Sequence, residues 1–463
     1  MPPALAGSER WFASTKAGIN AFGRDDYAQA EEQFKLALHE AERFGADSSE
    51  VVVSLENLAG AYLAMGKYDL ANHAANRSLL IAEKKYGNES LSVARILNIL
   101  AVICRSKENY EEGRNFANRS LEIAEKEDGP VSLIASMALS TLAAIESDER
   151  NYAAAARNCE DALAINRALL SQDDCRIGKV LVQLATIYCD IGRADDAVLL
   201  LDEAKRSMLD APTSSRFHKA QFLAAASLVQ MTKGDYMQAE TLLKQALKIE
   251  EEFLDPTNPR LAIMLNNLAL VKELNGNIQA AEPLYQRSLA LIERAVGKKS
   301  AGVATISNNI GANKFQQSRL VEAEALFEKS LSSRIGASAV RRSSAALNNL
   351  ALLYCTQSKF KESELLFRRA IVIDKAVYGD SNGPLASSLA GLSILFAVQG
   401  KYSEAEPLCK QSLAMMVACK GEHHPDVAVS LDNYAYLLRK TDREKLAATL
   451  EEQARKIRVK VMN

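Results

Sequence analysis

Apolar and aromatic positions recur along the chain with a period of 42 residues. The residue that follows a tight turn falls at Tyr27, Tyr68, Tyr110, Tyr152, Ala194, Tyr236, Ile278, Leu320, Phe360, Tyr402 and, in the last unit, Glu444. Eight of the ten intervals are 42 residues; the first is 41 and the step from Leu320 to Phe360 is 40. We call these eleven positions anchors. A fixed period of this length predicts stacked supersecondary units rather than separate globular domains.

Each anchor is surrounded by small residues in register. Three places after it stand Ala30, Ala71, Gly113, Ala155, Ala197, Ala239, Ala281, Ala323, Ser363, Ala405 and Ala447. Ten places after it and nine places before it the residues are again Ala, Gly or Ser in every unit, thirty-three small residues in all. These three types make up roughly a quarter of ordinary chains, so the register reflects a constraint. Packed helices stand about 8–10 Å apart, and the short end of that range needs small side chains where they cross. Large apolar residues flank the small ones at helical spacing, as at Leu79, Leu121 and Leu289 after the anchor and Leu58, Leu100 and Leu350 before it. Turns such as Met65-Gly66-Lys67 and connections such as Asp255-Pro256-Thr257-Asn258-Pro259 then separate the helices. The pattern predicts helix, turn, longer helix and loop in every unit. One such hairpin cannot bury its apolar face alone, so neighbours must stack.

Composition narrows the function classes. Hydrophobic residues are 48% of the chain, enough for a continuous core. The net charge is −2, which offers no basic footprint for nucleic acid. No apolar stretch approaches the roughly 20 residues of a membrane span. Met1 to Arg10 has no cationic region followed by an apolar run, so a secretory signal is not expected and the expected location is cytoplasmic. The seven cysteines form no C-x-x-C pair and read as buried thiols of a reducing compartment. No nucleotide-binding, hydrolase or metalloprotease string occurs, and His39, His73 and His218 are dispersed. The expectation is a non-enzymatic protein without metal or cofactor.

Small residues at the three sites, with Leu and Tyr in the first helix, resemble the tetratricopeptide repeat, and the 42-residue version resembles the repeats of kinesin light chains. Leu347-Asn348-Asn349-Leu350-Ala351-Leu352-Leu353-Tyr354 is similar to that family's first helix, Glu404-Ala405-Glu406-Pro407-Leu408-Cys409-Lys410 to its second, and His424-Pro425-Asp426-Val427-Ala428 to its connecting loop. The resemblance covers about residues 11 to 460. It implies an all-α fold, a right-handed superhelical solenoid of about eleven helix-turn-helix units. Residues 1–10 are expected as an N-terminal tail, 11–463 as one continuous solenoid, and 444–460 as a C-terminal capping helix with a polar outer face. True kinesin light chains carry heptads before their repeats, for the motor; this chain enters a repeat at Trp11, so a motor-adaptor role is not expected. Its closing segment, Tyr436 to Arg458, is similar to that of many bacterial proteins of the class, which implies a bacterial source.

The resemblance also implies that the first helices line a concave groove, and that asparagines there hold peptide cargo. Twelve and eleven places before the anchor stand Asn266 and Asn267, Asn308 and Asn309, and Asn348 and Asn349, with single members at Asn57, Asn98 and Asn433. Asn is a poor residue inside a helix because its amide competes with backbone bonds, so its recurrence wants a reason. Two readings stand open. The amides, each both donor and acceptor, bond the main chain of a bound peptide; or one Asn of each pair bonds the neighbouring repeat or a nearby loop. Arg95 and Arg105, ten apart on one helix, are candidates for clamping an acidic peptide, against the simpler reading as solvated charges. Phe315 either fills a pocket with a peptide side chain or belongs to the core. The expected function is a protein-interaction scaffold or adaptor that binds a peptide segment of a partner protein; the alternative is assembly or self-association through edges and ends of the solenoid.

Overall fold

A computed structural model describes residues 3–211, 214–332, 343–380 and 382–462. Among these residues all regular structure is helical. In chain order the hairpins are α1 (Pro3–Gly23) with α2 (Tyr27–Glu42), α3 (Ser49–Ala64) with α4 (Tyr68–Tyr86), α5 (Leu91–Ser106) with α6 (Tyr110–Asp128), and α7 (Leu133–Asp148) with α8 (Tyr152–Leu169). Next come α9 (Cys175–Asp190) with α10 (Ala194–Lys205), α11 (Arg216–Lys233) with α12 (Tyr236–Glu251), and α13 (Arg260–Leu274) with α14 (Ile278–Val296). The remainder are α15 (Ala301–Gln316) with α16 (Leu320–Ser332), α17 (Ser344–Thr356) with α18 (Phe360–Tyr378), α19 (Gly383–Val398) with α20 (Tyr402–Lys420), and α21 (Pro425–Arg439) with α22 (Glu444–Met462). A short π-helical stretch, Arg206–Asp210, extends α10.

Every anchor is the first residue of a second helix. Helix α1 begins at Pro3, within the stretch expected as a tail; proline in a first turn loses no hydrogen bond, because that N–H has no partner inside a helix anyway. The last helix runs to Met462, over the stretch expected as a cap. The loop that follows α16, inside the 40-residue step from Leu320 to Phe360, lies outside the described residues.

The turn inside each hairpin is set by position rather than by glycine. The residue two before the anchor has positive φ in all eleven units: Gly66 (72°) and Gly234 (83°) among the glycines, but also Asp25 (61°), Glu108 (60°), Arg150 (61°), Ser318 (61°), Ser358 (60°) and Asp442 (59°). The next N–H reaches back five residues, as from Lys67 to the Tyr62 carbonyl (2.9 Å) and from Asn109 to that of Cys104 (2.8 Å), closing the helix end. A left-handed non-glycine residue costs about 1–2 kcal/mol. Ser358→Gly is therefore expected to stabilise the chain by about 1 kcal/mol, read as a shift of the denaturant midpoint.

The small register does what helix crossing requires. Ten of the eleven residues three places after the anchor, from Ala30 to Ala447, are fully buried alanines or Ser363, and an added Cβ on the eleventh, Gly113, would stand 3.2 Å from the Ala101 carbonyl. At four of the second small sites a serine hydroxyl donates to a carbonyl of the facing first helix: Ser78 to Val52 (3.2 Å), Ser120 to Ala94 (2.7 Å), Ser330 to Ala304 (2.6 Å) and Ser412 to Ala386 (2.7 Å). The polar atom thus keeps a partner inside the core.

Contacts group the residues into two compact units. The first comprises residues 1–187, 199–225 and 244–264; the second comprises 188–198, 226–243 and 265–463. Within the first, a return contact joins residues about 190 apart. The Asp25 carboxylate accepts from the Phe217 N–H (3.2 Å) and from the Tyr27 hydroxyl (3.1 Å), Arg216 donates to the Arg24 carbonyl (3.0 Å), and Asn258 to that of Ala64 (3.1 Å). The Arg260 guanidinium lies over the Phe217 ring (4.1 Å) and donates to the buried Glu250 (2.8 Å). The Pro259 ring covers Gly66 so closely that a Cβ there would stand 2.4 Å from it. Within the second unit Pro425 covers Gly234 in the same way, again at 2.4 Å.

All seven cysteines are free, and five are buried, with Cys175 and Cys419 half-buried. Burial pushes the thiols of Cys104, Cys159 and Cys189 up to about 12, which makes them poor nucleophiles.

Candidate functional site

The first helices carry the residues twelve and eleven places before each anchor. In the second unit these form a ladder of amides that runs from repeat to repeat. Asn309 donates to the Asn266 side-chain oxygen (2.9 Å) and Asn349 donates to that of Asn308 (3.0 Å). Asn266 also donates to Asn267 (3.2 Å), and Asn348 donates to Ser388 (2.7 Å), which in turn donates to the buried Asp374 (2.5 Å). Both members of the Asn308–Asn309 and Asn348–Asn349 pairs bond neighbouring repeats, whereas in the first pair only Asn266 does. Asn266 and Asn308 are buried, whereas Asn267, Asn309, Asn348 and Asn349 are half-buried. Asn309→Leu is expected to cost about 1 kcal/mol through loss of its bond to Asn266, seen as faster hydrogen exchange in α13 and α15.

The other asparagines stand apart from the ladder. Asn57 and Asn433 are half-buried, and Asn98 is buried with an unpartnered side-chain oxygen. Beside Asn433, Asp432 is paired with Arg458. Phe315 packs against Ala323, Phe327, Leu350 and Leu353, on the core side of its helix.

The two arginines differ. Arg105 holds Asp148 of the next repeat with two contacts, 2.6 and 3.4 Å. Its charge is therefore engaged within the chain. Arg95 is about half exposed and lies 3.7 Å from Glu56, beyond hydrogen-bond distance. Glu56 stands beside Asn57, at a ladder position that is Asn in other repeats. Sequence reading passed over it; a carboxylate in an amide row was the available signal.

Burial pushes the Glu56 carboxyl up to about 7, and the Arg95 charge only partly offsets this. The folded value exceeds the unfolded one, so the ionised form is disfavoured in the fold. Stability is accordingly expected to fall as pH rises from about 4.5 to about 7, with the whole penalty present above that. It amounts to about 3 kcal/mol at most. Denaturant unfolding at pH 5 and pH 8, wild type against Glu56→Gln, checks this: the difference between the two proteins should grow with pH.

A second buried acid is fully bonded. Glu273 accepts from Asn313 (3.2 Å), Tyr285 (3.3 Å) and Gln316, although burial still raises its carboxyl above the usual range. Among the described residues, no group of three His, Cys, Asp or Glu side chains is arranged to hold a metal, and no helix is long and apolar enough to cross a membrane.

No curated protein matches the sequence. Among solved structures, BtubC (BKLC) from P. vanneervenii is similar, with 20% identity, a TM-score of 0.37, and coverage of 51% of this chain and 92% of that one. A Rap protein complexed with competence and sporulation factor shows 13% identity and a TM-score of 0.46 over 89% of this chain and 99% of its own. A putative kinesin light chain from Podosopora anserina shows 18% identity and a TM-score of 0.33 over 42% of this chain and 94% of its own. None of these likenesses bears on what this chain binds. The tetratricopeptide repeat model matches residues 56–126, 92–168, 223–291, 260–335, 342–416 and 385–458, well over half of the chain. With that match, and with every anchor opening the second helix of a hairpin, the chain belongs to the tetratricopeptide repeat family.

Proposed function

We propose that the chain is a non-enzymatic scaffold that binds a peptide segment of a partner protein along the face formed by its first helices. The observation that carries this reading is unused hydrogen-bonding capacity on that face. The ladder takes one group from each of several asparagines and leaves the Asn267 amide nitrogen and the side-chain oxygens of Asn309 and Asn349 without a bond among the described residues, on half-buried side chains. Paired donors and acceptors of this kind suit an extended main chain, whose own groups lose water on docking. Free thiols throughout the chain suit action in a reducing compartment, the cytoplasm.

The test is affinity capture from an extract of the source organism, with the full chain and with Asn267→Ala as baits. Among the described residues Asn267 donates to nothing, so its loss removes only the bond it accepts from Asn266 and spares the bonds between repeats. Recovery of a specific partner should fall about fivefold, given about 1 kcal/mol per bond, while the melting temperature moves by no more than a few degrees. Equal recovery by both baits would remove the assignment of this face.

A further inference from the structure

Three consecutive repeats of the first unit carry a buried polar atom with no partner at the same register position. Twelve places before the anchor these are Thr15, Glu56 and Asn98, and the atoms are Thr15 Oγ1, Glu56 Oε1 and Asn98 Oδ1. Thr15 is 8% exposed and Asn98 5%. Buried polar groups are nearly always bonded, so three unmet ones in a row on one face want an occupant.

The ladder of the second unit explains what is missing. There the acceptor at this position is bonded where the next repeat supplies an amide at the following position, as Asn309 does for Asn266 and Asn349 for Asn308. In the first unit the corresponding residue for Glu56 is Ile99, which has no donor. For Asn98 it is Thr141, whose hydroxyl donates instead to the Met137 carbonyl (3.0 Å). For Thr15 it is Asn57, which makes no bond to it. Asn348 obeys the same rule in the second unit: the next repeat offers Gly391, and its Oδ1 is unpartnered too.

We propose that the face of the first three repeats is a binding site for a basic segment of a partner protein, with a lysine or arginine side chain donating to Glu56 and Asn98. This rests on the peptide-binding reading above and names the chemistry of the ligand. The unmet atoms on Glu56 and Asn98 are acceptors, and one belongs to a carboxylate. Ammonium and guanidinium groups carry donors only, and bonds to an ionised acceptor are the strong ones. An acidic segment would bring a third acceptor to the same place. Arg95, half exposed and 3.7 Å from Glu56, is the loose cation that the incoming one replaces.

The experiment uses the full chain and two fluorescein-labelled nine-residue peptides of alternating serine and charged residues, one with lysine and arginine, the other with glutamate. Anisotropy is read at 0.15 M salt. The basic peptide should bind at least tenfold more tightly than the acidic one, and Glu56→Gln should weaken it about tenfold. The same variant should melt at or above the wild-type temperature at pH 8, because a buried carboxylate lacking a donor is gone; a gain in melting temperature with a loss of binding excludes misfolding. Binding unchanged in Glu56→Gln, preference for the acidic peptide, binding of neither, or a drop in melting temperature each overturns the proposal. A capture signal lost in Asn267→Ala and retained in Glu56→Gln keeps the broader reading and removes this site, whereas capture indifferent to both removes both.

Discussion

Phe367→Ala is expected to destabilise the chain by about 3–5 kcal/mol, the range for emptying an aromatic site in a core that relaxes only in part. Phe367 is fully buried, in a cluster with Ala351, Leu392, Leu395, Phe396, Ala405 and Leu437. Its ring lies against Gly391 of the next first helix, where an added Cβ would stand 2.2 Å from the ring edge. Phenylalanines at the same position cover a glycine of their own hairpin's first helix, Phe34 over Gly18 and Phe327 over Gly311, at 2.5 and 2.6 Å. Gly391→Ala should therefore overpack the site and cost about 1–3 kcal/mol. The two changes share one space, so they must couple. In a Phe367→Ala background the added methyl enters the cavity, and the Gly391→Ala cost should shrink to near zero. Hydrogen exchange across α17 to α21 reads this locally, since the single tryptophan, Trp11, belongs to the first unit. Simple addition of the two costs would mean that ring and glycine are not in contact.

Asp25→Ala should cost about 3 kcal/mol or more, because hydrogen bonds to a charged group contribute about 1.5–3 kcal/mol each and two are lost. Asp25 is buried, at a φ of 61°, and accepts from both the Phe217 N–H and the Tyr27 hydroxyl. Alanine removes both acceptors and tolerates the left-handed conformation poorly. Asparagine keeps an oxygen for Phe217 and accepts that conformation several-fold more readily than most residues, so Asp25→Asn should recover a good part of the loss. Amide exchange at Phe217 is the direct measurement: rapid in Asp25→Ala, slower in Asp25→Asn. Equal exchange in wild type and Asp25→Ala would show that the return contact does not hold in solution.

Much of the fold was legible because its causes are local and repeated. An anchor, three small sites and their large neighbours recur in each unit, and each reports a helix crossing that the 42-residue period multiplies. The turns were half legible. Glycine at Gly66 or Gly234 announces a left-handed residue, but Glu108, Arg150 and Ser358 take the same conformation without that sign, held by the five-residue backbone bond. The candidate site was legible as a row of asparagines and not as a set of bonds. Whether an amide faces a partner or a neighbouring repeat depends on what stands opposite in the next helix.

Sequence by itself thus determined the repeat, its register, the helix boundaries at every anchor and the family. Those properties follow from side-chain size and periodicity, which act over a few turns of chain and are read many times over. Tertiary structure alone decided that Asn309 and Asn349 bond Asn266 and Asn308, that Glu56 is left with only a distant Arg95, and that Asp25 meets Phe217 across 192 residues. Each is a single contact between particular atoms, set by how neighbouring helices are placed against one another, and a contact made once leaves no period in the sequence from which to read it.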